Sequence, residues 1–289
     1  MPEKKRIAFA SGKGGVGKTT LATSLAVCLA KQGIDTVYID CDVEAPNGFL
    51  FLKPEFLTSQ TVTVPVAAVD SGKCSACGIC VEACQFNALA LVGNKLLVFN
   101  QLCHGCGSCI RLCPEGALSE KQYPVGQLNQ GFGRENISCL QGKLNISEPM
   151  ASPVVRQLKQ LTEQEPGQVY IYDAPPGASC TVVETLQAMD FVYLVTEPTP
   201  FGLHDLKQIL GVVKSMKIPF AVIINRDGIG DDHLNQFLVQ ENIPTALSIP
   251  YDDQIARAIA SGGTLFDAYP DDPNQLEKLY FELLQGGLV

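Results

Sequence analysis

The sequence predicts an α/β protein: a doubly wound, mainly parallel sheet interrupted by a smaller cysteine-rich α+β unit. Three observations predict it. Apolar runs such as Thr36-Val37-Tyr38-Ile39-Asp40 and Val169-Tyr170-Ile171-Tyr172-Asp173 read as buried strands with an acid at the end, and helix-length runs separate such segments. A glycine-rich stretch, Ser11-Gly12-Lys13-Gly14-Gly15-Val16-Gly17-Lys18-Thr19-Thr20, joins the first apolar run to the first helical one. Eight of the 12 cysteines fall in one short stretch, residues 74–113.

Residues 6–10 form the first expected strand and residues 21–30 the first helix. Between them Gly12, Gly17, Lys18 and Thr19 fill the fixed positions of the phosphate-binding pattern G-x-x-x-x-G-K-[ST]. Its glycines permit close backbone approach, and loop N–H groups with the helix N-terminus can face phosphate oxygens. Lys18 is the expected β- and γ-phosphate ligand, and the Thr19 hydroxyl the expected Mg²⁺ ligand. Gly14, Gly15, Val16 and Thr20 complete the expected cradle.

Strand 36–40 runs into a loop over residues 41–47. From about residue 63 to 121 the alternation gives way to short segments dense in cysteine and glycine, and residues 126–142 read as a linker. Alternation then resumes. Strands are expected at 142–146, 169–173, 191–196, 220–225 and 246–249, and helices at 153–162, 202–216, 232–241, 253–261 and 274–285. The resulting division is a discontinuous unit, residues 1–62 and 122–289, with an insertion at 63–121. A ligand belongs at the carboxyl ends of the parallel strands.

Within the insertion Cys74, Cys77, Cys80 and Cys84 form C-x2-C-x2-C-x3-C, and Cys103, Cys106, Cys109 and Cys113 repeat it 29 residues later. This is an internal duplication. It resembles the bacterial two-cluster ferredoxins, in which the fourth cysteine of each run serves the other cluster. The resemblance implies one [4Fe-4S] cluster on Cys74, Cys77, Cys80 and Cys113 and a second on Cys103, Cys106, Cys109 and Cys84. Structural zinc is the rival reading, because paired C-x2-C motifs also bind zinc. Gln85 replaces a proline often found after the fourth cysteine, and His104 is expected to face solvent or a sulfur rather than to ligate.

The 289 residues are 46% hydrophobic, enough for a sizeable core, and the net charge is −9. An acidic balance argues against non-specific binding to nucleic acid or anionic membrane. The first strand begins within a few residues of the N-terminus, with no leader pattern and no apolar run long enough to span a membrane, so a cytoplasmic location is expected. In a reducing compartment 12 cysteines suggest metal ligation rather than disulfides. The last expected helix is not basic, which favours core docking over membrane attachment.

Lys13, directly after the first glycine of the loop, gives a second resemblance. Gly12-Lys13-Gly14-Gly15-Val16-Gly17-Lys18-Thr19-Thr20 resembles the deviant Walker A ATPases: the MinD, Mrp and ParA types and the nitrogenase iron protein. The resemblance implies ATP as ligand and an ATP-dependent homodimer in which Lys13 reaches the partner's nucleotide. It further implies that Asp42 positions the attacking water and that Asp40 supports Mg²⁺ or its loop. Asp173-Ala174-Pro175-Pro176-Gly177 resembles the family's second switch, with Asp173 as the acid behind Mg²⁺ and Gly177 offering an N–H to the γ-phosphate. Asn225 resembles the family's adenine contact, and Pro250-Tyr251-Asp252 the loop on the base's other side. Asn47 is a weaker candidate for the first switch.

Of the remaining cysteines, Cys28 is expected in the core. Cys180, seven residues beyond Asp173, has two readings: a small buried residue, or a group near the dimer interface that contacts a cluster or partner. The nitrogenase iron protein has a bridging cysteine in a similar place, but a second one has no clear counterpart here, with Met150 in its region. No C-x-x-C pair follows Cys180, unlike in the Mrp-type cluster carriers. The whole chain resembles MinD-superfamily ATPases carrying an inserted ferredoxin domain. Three functions are expected on that basis: an ATP-gated electron carrier serving a redox partner, an ATPase for metallocluster assembly, or a spatial-positioning ATPase with redox-sensing clusters.

Overall fold

A computed structural model describes residues 4–269. In chain order the elements are β1 (Lys5–Ala10), α1 (Lys18–Lys31), β2 (Thr36–Asp40), α2 (Phe49–Leu52), β3 (Glu55–Val69), α3 (Ile79–Ala83), β4 (Leu89–Val92), β5 (Lys95–Val98), α4 (Ser108–Leu112) and β6 (Leu118–Phe132). Then follow β7 (Ser138–Leu144), α5 (Ser152–Thr162), β8 (Val169–Asp173), α6 (Cys180–Leu186), β9 (Phe191–Thr196), α7 (Pro200–Met216), β10 (Phe220–Asp227), α8 (His233–Gln240), β11 (Thr245–Pro250) and α9 (Asp253–Ala260). The helix expected at 274–285 lies outside the described residues.

Among the described residues nine strands form one sheet in the order β11-β10-β9-β1-β8-β2-β7-β6-β3. From β11 to β7 all neighbours are parallel, whereas β7–β6 and β6–β3 are antiparallel. Strands β1, β2 and β8 are buried along most or all of their length because helices cover both faces, which is why they read as unbroken apolar runs. One core lies round Ile39, Val154, Leu158 and Tyr172; the other lies round Phe9, Leu25, Leu29 and Ile171. No helix among the described residues is long and apolar enough to cross a membrane.

The antiparallel ribbon corrects the sequence reading. Residues 126–142, expected as a linker, are the second half of β6 and most of β7. The glycines that suggested a linker are packing residues. A Cβ on Gly131 would stand 1.9 Å from the Glu55 carbonyl oxygen across the ribbon, and one on Gly142 would meet Val43 at 2.6 Å. The strand expected at 142–146 is therefore the tail of β7, which ends at Leu144.

Strands β3 and β6 are 15 residues each and pair from Glu55↔Phe132 to Val69↔Leu118. Their register shifts between Val62 and Thr63, where the expected insertion begins, and β6 runs on through residues 121 and 122. The sheet-side half of the ribbon buries Val62, Val125 and Leu128 in the main core. Its far end carries the cysteine-rich unit, which has a small apolar core of its own at Ala67, Cys80, Leu89, Leu96 and Leu118. There α3 and α4 lie within the two cysteine runs, and β4 and β5 form a hairpin.

Candidate functional site

Two sites emerge, one at the carboxyl ends of the parallel strands and one in the cysteine-rich unit. At the first, β1 ends in the glycine-rich loop and α1 starts at Lys18. Gly17 adopts φ +93°, in the left-handed region, and a Cβ there would stand 2.3 Å from Asn225 Nδ2, so the position needs glycine twice over. Gly12 needs it for close approach: a Cβ would stand 2.0 Å from the Asp205 carbonyl oxygen of α7. The loop rims a cleft of about 580 Å³, within the ordinary range for small-molecule sites.

That cleft brings together most of the residues singled out in the sequence. Lys13, Gly14, Gly15, Gly17, Lys18, Thr19 and Thr20 line one side, Asp42 and Asn47 another, and Asn225, Pro250 and Asp252 the far wall. Tyr251, Ile255 and Ile259 add an apolar side. The Asn225 amide donates to the Val16 carbonyl at 2.8 Å, so its nitrogen braces the loop. Asp252 caps α9 by accepting from the Gln254 N–H at 2.7 Å, and also accepts from the Tyr269 hydroxyl.

The acids at the strand ends divide by environment. Asp173 is fully buried; its carboxylate accepts from Lys18 Nζ at 3.2 Å and from the Tyr38 hydroxyl at 3.1 Å. Asp40 is also buried and accepts from the N–H groups of Asp42 at 3.2 Å, Asn47 at 3.1 Å and Gly48 at 3.0 Å. Of the two roles expected for Asp40, loop support is the one its contacts display. Burial, followed by the neighbouring Asp173, pushes the Asp40 carboxyl well above the usual range. Burial also raises Asp42, against the opposing pull of Lys18. Gly177 adopts φ +92°, and its N–H, expected to face a γ-phosphate, donates here to the Ser11 carbonyl at 2.9 Å.

Lys13 has a partner that the sequence reading missed. Its Nζ lies 3.4 Å from Glu197, whose other carboxylate oxygen accepts from Arg226 at 2.6 Å. Glu197 directly follows β9, the same strand-end position that drew attention to Asp40 and Asp173, so the signal was present. Tyr38 was missed for another reason: in sequence it is one more apolar residue of a buried strand.

In the cysteine-rich unit two separate cavities divide the eight cysteines. One is lined by Cys74, Cys77, Cys80 and Cys113, the other by Cys84, Cys103, Cys106 and Cys109. The duplication extends to the backbone. Gly78 and Gly107, 29 residues apart, both take positive φ before their helices, as do Ala76 and Gly105 before them. The Ala88 N–H reaches Cys84 Sγ at 3.4 Å, and the Ala117 N–H reaches Cys113 Sγ at 3.3 Å, again 29 residues apart. Such N–H groups suit thiolate ligands of a metal centre. Burial pushes the Cys80 and Cys109 thiols up, whereas hydrogen bonding with Ser108 pulls Cys106 down. Among the described residues no three or more His, Cys, Asp or Glu side chains are gathered so as to hold a metal ion.

Cys28 is buried in the core, as expected, and so are Cys41 and Cys139. Cys180 is exposed, which removes its reading as a small buried residue. It lies on a second open cleft, of about 560 Å³, shared with Cys103 and His104.

Comparison with known proteins bears on the nucleotide-binding fold. The chain is 31% identical to the uncharacterized protein MJ0579 of Methanocaldococcus jannaschii, over 96% of this chain and 97% of that one. It is 22% identical to a protein of Pyrococcus horikoshii named iron-sulfur cluster carrier protein, over 76% of this chain and 61% of that one. In fold it is similar to the septum site-determining protein MinD of Pyrococcus horikoshii, solved with Mg-ADP, with a TM-score of 0.60 and 16% identity over 98% of this chain and 96% of that one. The model of the CobQ/CobB/MinD/ParA nucleotide binding domain matches residues 7–265, and the chain belongs to that family.

Proposed function

We propose that the protein is a cytoplasmic ATP-hydrolysing iron–sulfur protein that works as a homodimer and gates electron transfer to a partner protein. The observation that carries the reading is the division of eight cysteines between two cavities, four and four in the crossed pairing, on a ribbon rooted in the sheet of a nucleotide-binding unit. Cys74, Cys77, Cys80 and Cys113 would hold one [4Fe-4S] cluster, and Cys103, Cys106, Cys109 and Cys84 the other. When bound, the clusters supply one-electron chemistry.

The chain's own residues supply the rest. Lys18 would leave Asp173 for the phosphates, and Thr19 would hold Mg²⁺ with Asp173 behind it. Asp42 lines the cleft where a water could attack the γ-phosphate. Lys13 would exchange Glu197 for the nucleotide of a second copy, completing a site that one copy leaves open. The insertion would form a separate unit at residues 63–121, carried by the nucleotide-binding residues 1–62 and 122–289.

A second reading, delivery of a cluster to an acceptor, draws on the distant relatives named for cluster carriage. The absence of a C-x-x-C pair after Cys180 favours electron transfer over it. Anaerobic purification, iron and sulfide analysis, and EPR with and without Mg-ATP test the proposal. Iron in two clusters whose signal or potential responds to Mg-ATP is the expected outcome. Zinc in place of iron overturns it, and transfer of the clusters to an apo-acceptor replaces it with the delivery reading.

A further inference from the structure

The two cysteine cavities are related by duplication but not by surroundings. The cavity of Cys74, Cys77, Cys80 and Cys113 shares no lining residue with either of the large clefts. The cavity of Cys84, Cys103, Cys106 and Cys109 shares Cys103 and His104 with the 560 Å³ cleft. The lining of that cleft also includes Glu44, two residues beyond Asp42, and Ser179 and Cys180, which follow the Asp173–Gly177 turn. One cavity therefore borders the segments that flank the nucleotide site, and the other does not.

The internal repeat shows where the symmetry breaks. Ser75 and Glu115 line the first cavity, and the residues 29 positions away from them, His104 and Phe86, line the second. His104 and Phe86 stack face to face, with centroids 3.9 Å apart and an interplanar angle of 17°. Phe86 follows Cys84 by two residues and His104 follows Cys103 directly, so the stack ties the two cysteine runs together at this cavity. The other half of the duplication has no aromatic pair at these positions.

A second contact path runs from α6 to the ribbon that carries this cavity. Helix α5 holds α6 through Arg156, which donates to Glu184 at 3.2 and 2.9 Å. Lys159 of α5 donates to the carbonyls of Glu184, Thr185 and Gln187 at 2.7, 3.1 and 2.6 Å. On its other side Gln157 donates to the Thr63 carbonyl of β3 at 3.0 Å. The helix that starts at Cys180 is thus tied through α5 to the ribbon where its register shifts.

We propose that the two cluster sites are unequal: the Cys84–Cys103–Cys106–Cys109 site senses the nucleotide state, and His104 is the positioning residue that makes it do so. Movement of the Glu44 loop or of the Ser179–Cys180 segment bears on the His104–Phe86 stack, which is continuous with the cavity wall. The Cys74 site, which shares no lining residue with either cleft, is left to exchange electrons with the partner. This inference rests on the iron–sulfur reading above.

The experiment uses the full chain, purified anaerobically. Cys77→Ser and Cys106→Ser, at equivalent exposed positions of the two runs, assign the two EPR signals to their cavities. Expected is a Mg-ATP-dependent change in line shape or potential that persists in Cys77→Ser and disappears in Cys106→Ser. His104→Ser, which installs the residue found at the matching place in the first run, keeps the wild-type iron content and ATP hydrolysis and loses the response. His104→Phe, which preserves a stack on Phe86, restores most of it. A response carried by the Cys77 site, or one that survives in His104→Ser, overturns the inference, as does an iron-loaded wild type with no response. If a cysteine variant fails to accumulate, the His104 pair decides alone. A wild type without iron overturns the underlying reading instead, so the two failures are told apart.

Discussion

The nucleotide-binding unit holds its sheet between two apolar cores, with Leu25, Leu29, Ile39, Leu158 and Tyr172 all within 1% of full burial. The core cluster of the cysteine-rich unit gathers five buried side chains, one of them Cys80, and the partly buried residues packed on it include five more cysteines. The first region is large enough to fold by burial alone. The second has the proportions of small domains that depend on metal or cross-links for cohesion. On the iron–sulfur reading proposed above, the difference teaches that one chain joins two kinds of stability, and that the conditions which abolish one need not touch the other.

The sharpest way to break the comparison is to remove metal. Anaerobic chelation of iron is expected to release amide protection across residues 74–113 by several kcal/mol, on the scale of metal-coupled folding. Exchange in β1, β2 and β8 is expected to stay unchanged, and hydrogen exchange read by mass spectrometry checks both. Protection that persists in the metal-free cysteine-rich unit would show that its core suffices without ligation.

A smaller effect tests the other side. Leu25→Ala, in the core beneath the glycine-rich loop, is expected to cost about 2–5 kcal/mol in denaturant unfolding. Iron content is expected to be unaffected. Leu96→Ala, in the cysteine-rich unit, is expected to lower protection there and leave the main unfolding transition in place.

The smallest expected effect is electrostatic. Arg134 forms a bidentate pair with Asp267, at 2.7 and 2.8 Å, and its hydrogen bonds hold the Asp267 carboxyl well below the usual carboxylate range. A depressed pKa contributes stability that is complete above the unfolded carboxyl value and lost as pH falls through the folded one. Because both side chains are about one-third exposed, solvent screening limits the contribution to about 1 kcal/mol. Thermal unfolding of Arg134→Ala against wild type is expected to show that gap at pH 7 and close it as pH falls below about 4.

Much of the parallel sheet was legible because burial on both faces writes strands as apolar runs with an acid at the end. The same rule located Asp40 and Asp173, and applied to β9 it would have located Glu197. The nucleotide loop and the duplicated cysteine run were legible because spacing alone encodes both. The ribbon was not. Residues 118–132 include Pro124, Gly126 and Gly131 with several Gln and Asn, a composition that suggests a loop, and only their cross-strand partners in β3 and β7 reveal a strand. Lys13 was read as a group reaching outward. Its contact with Glu197 depends on a separation of 184 residues, which no local pattern reports. The shared cleft of Cys103, His104 and Cys180 was hidden for the same reason.

The register shift at Val62 and Thr63 gives the ribbon a mechanical meaning. Beyond it β3 continues for seven residues, Thr63 to Val69, an arm of about 20 Å at ordinary strand rise. A tilt of about 5° at that pivot carries the tip through roughly 2 Å, an amplification set by arm length alone. Adjustments at the root too small to disturb a packed core would become displacements at the far end comparable to the gap between two docked proteins.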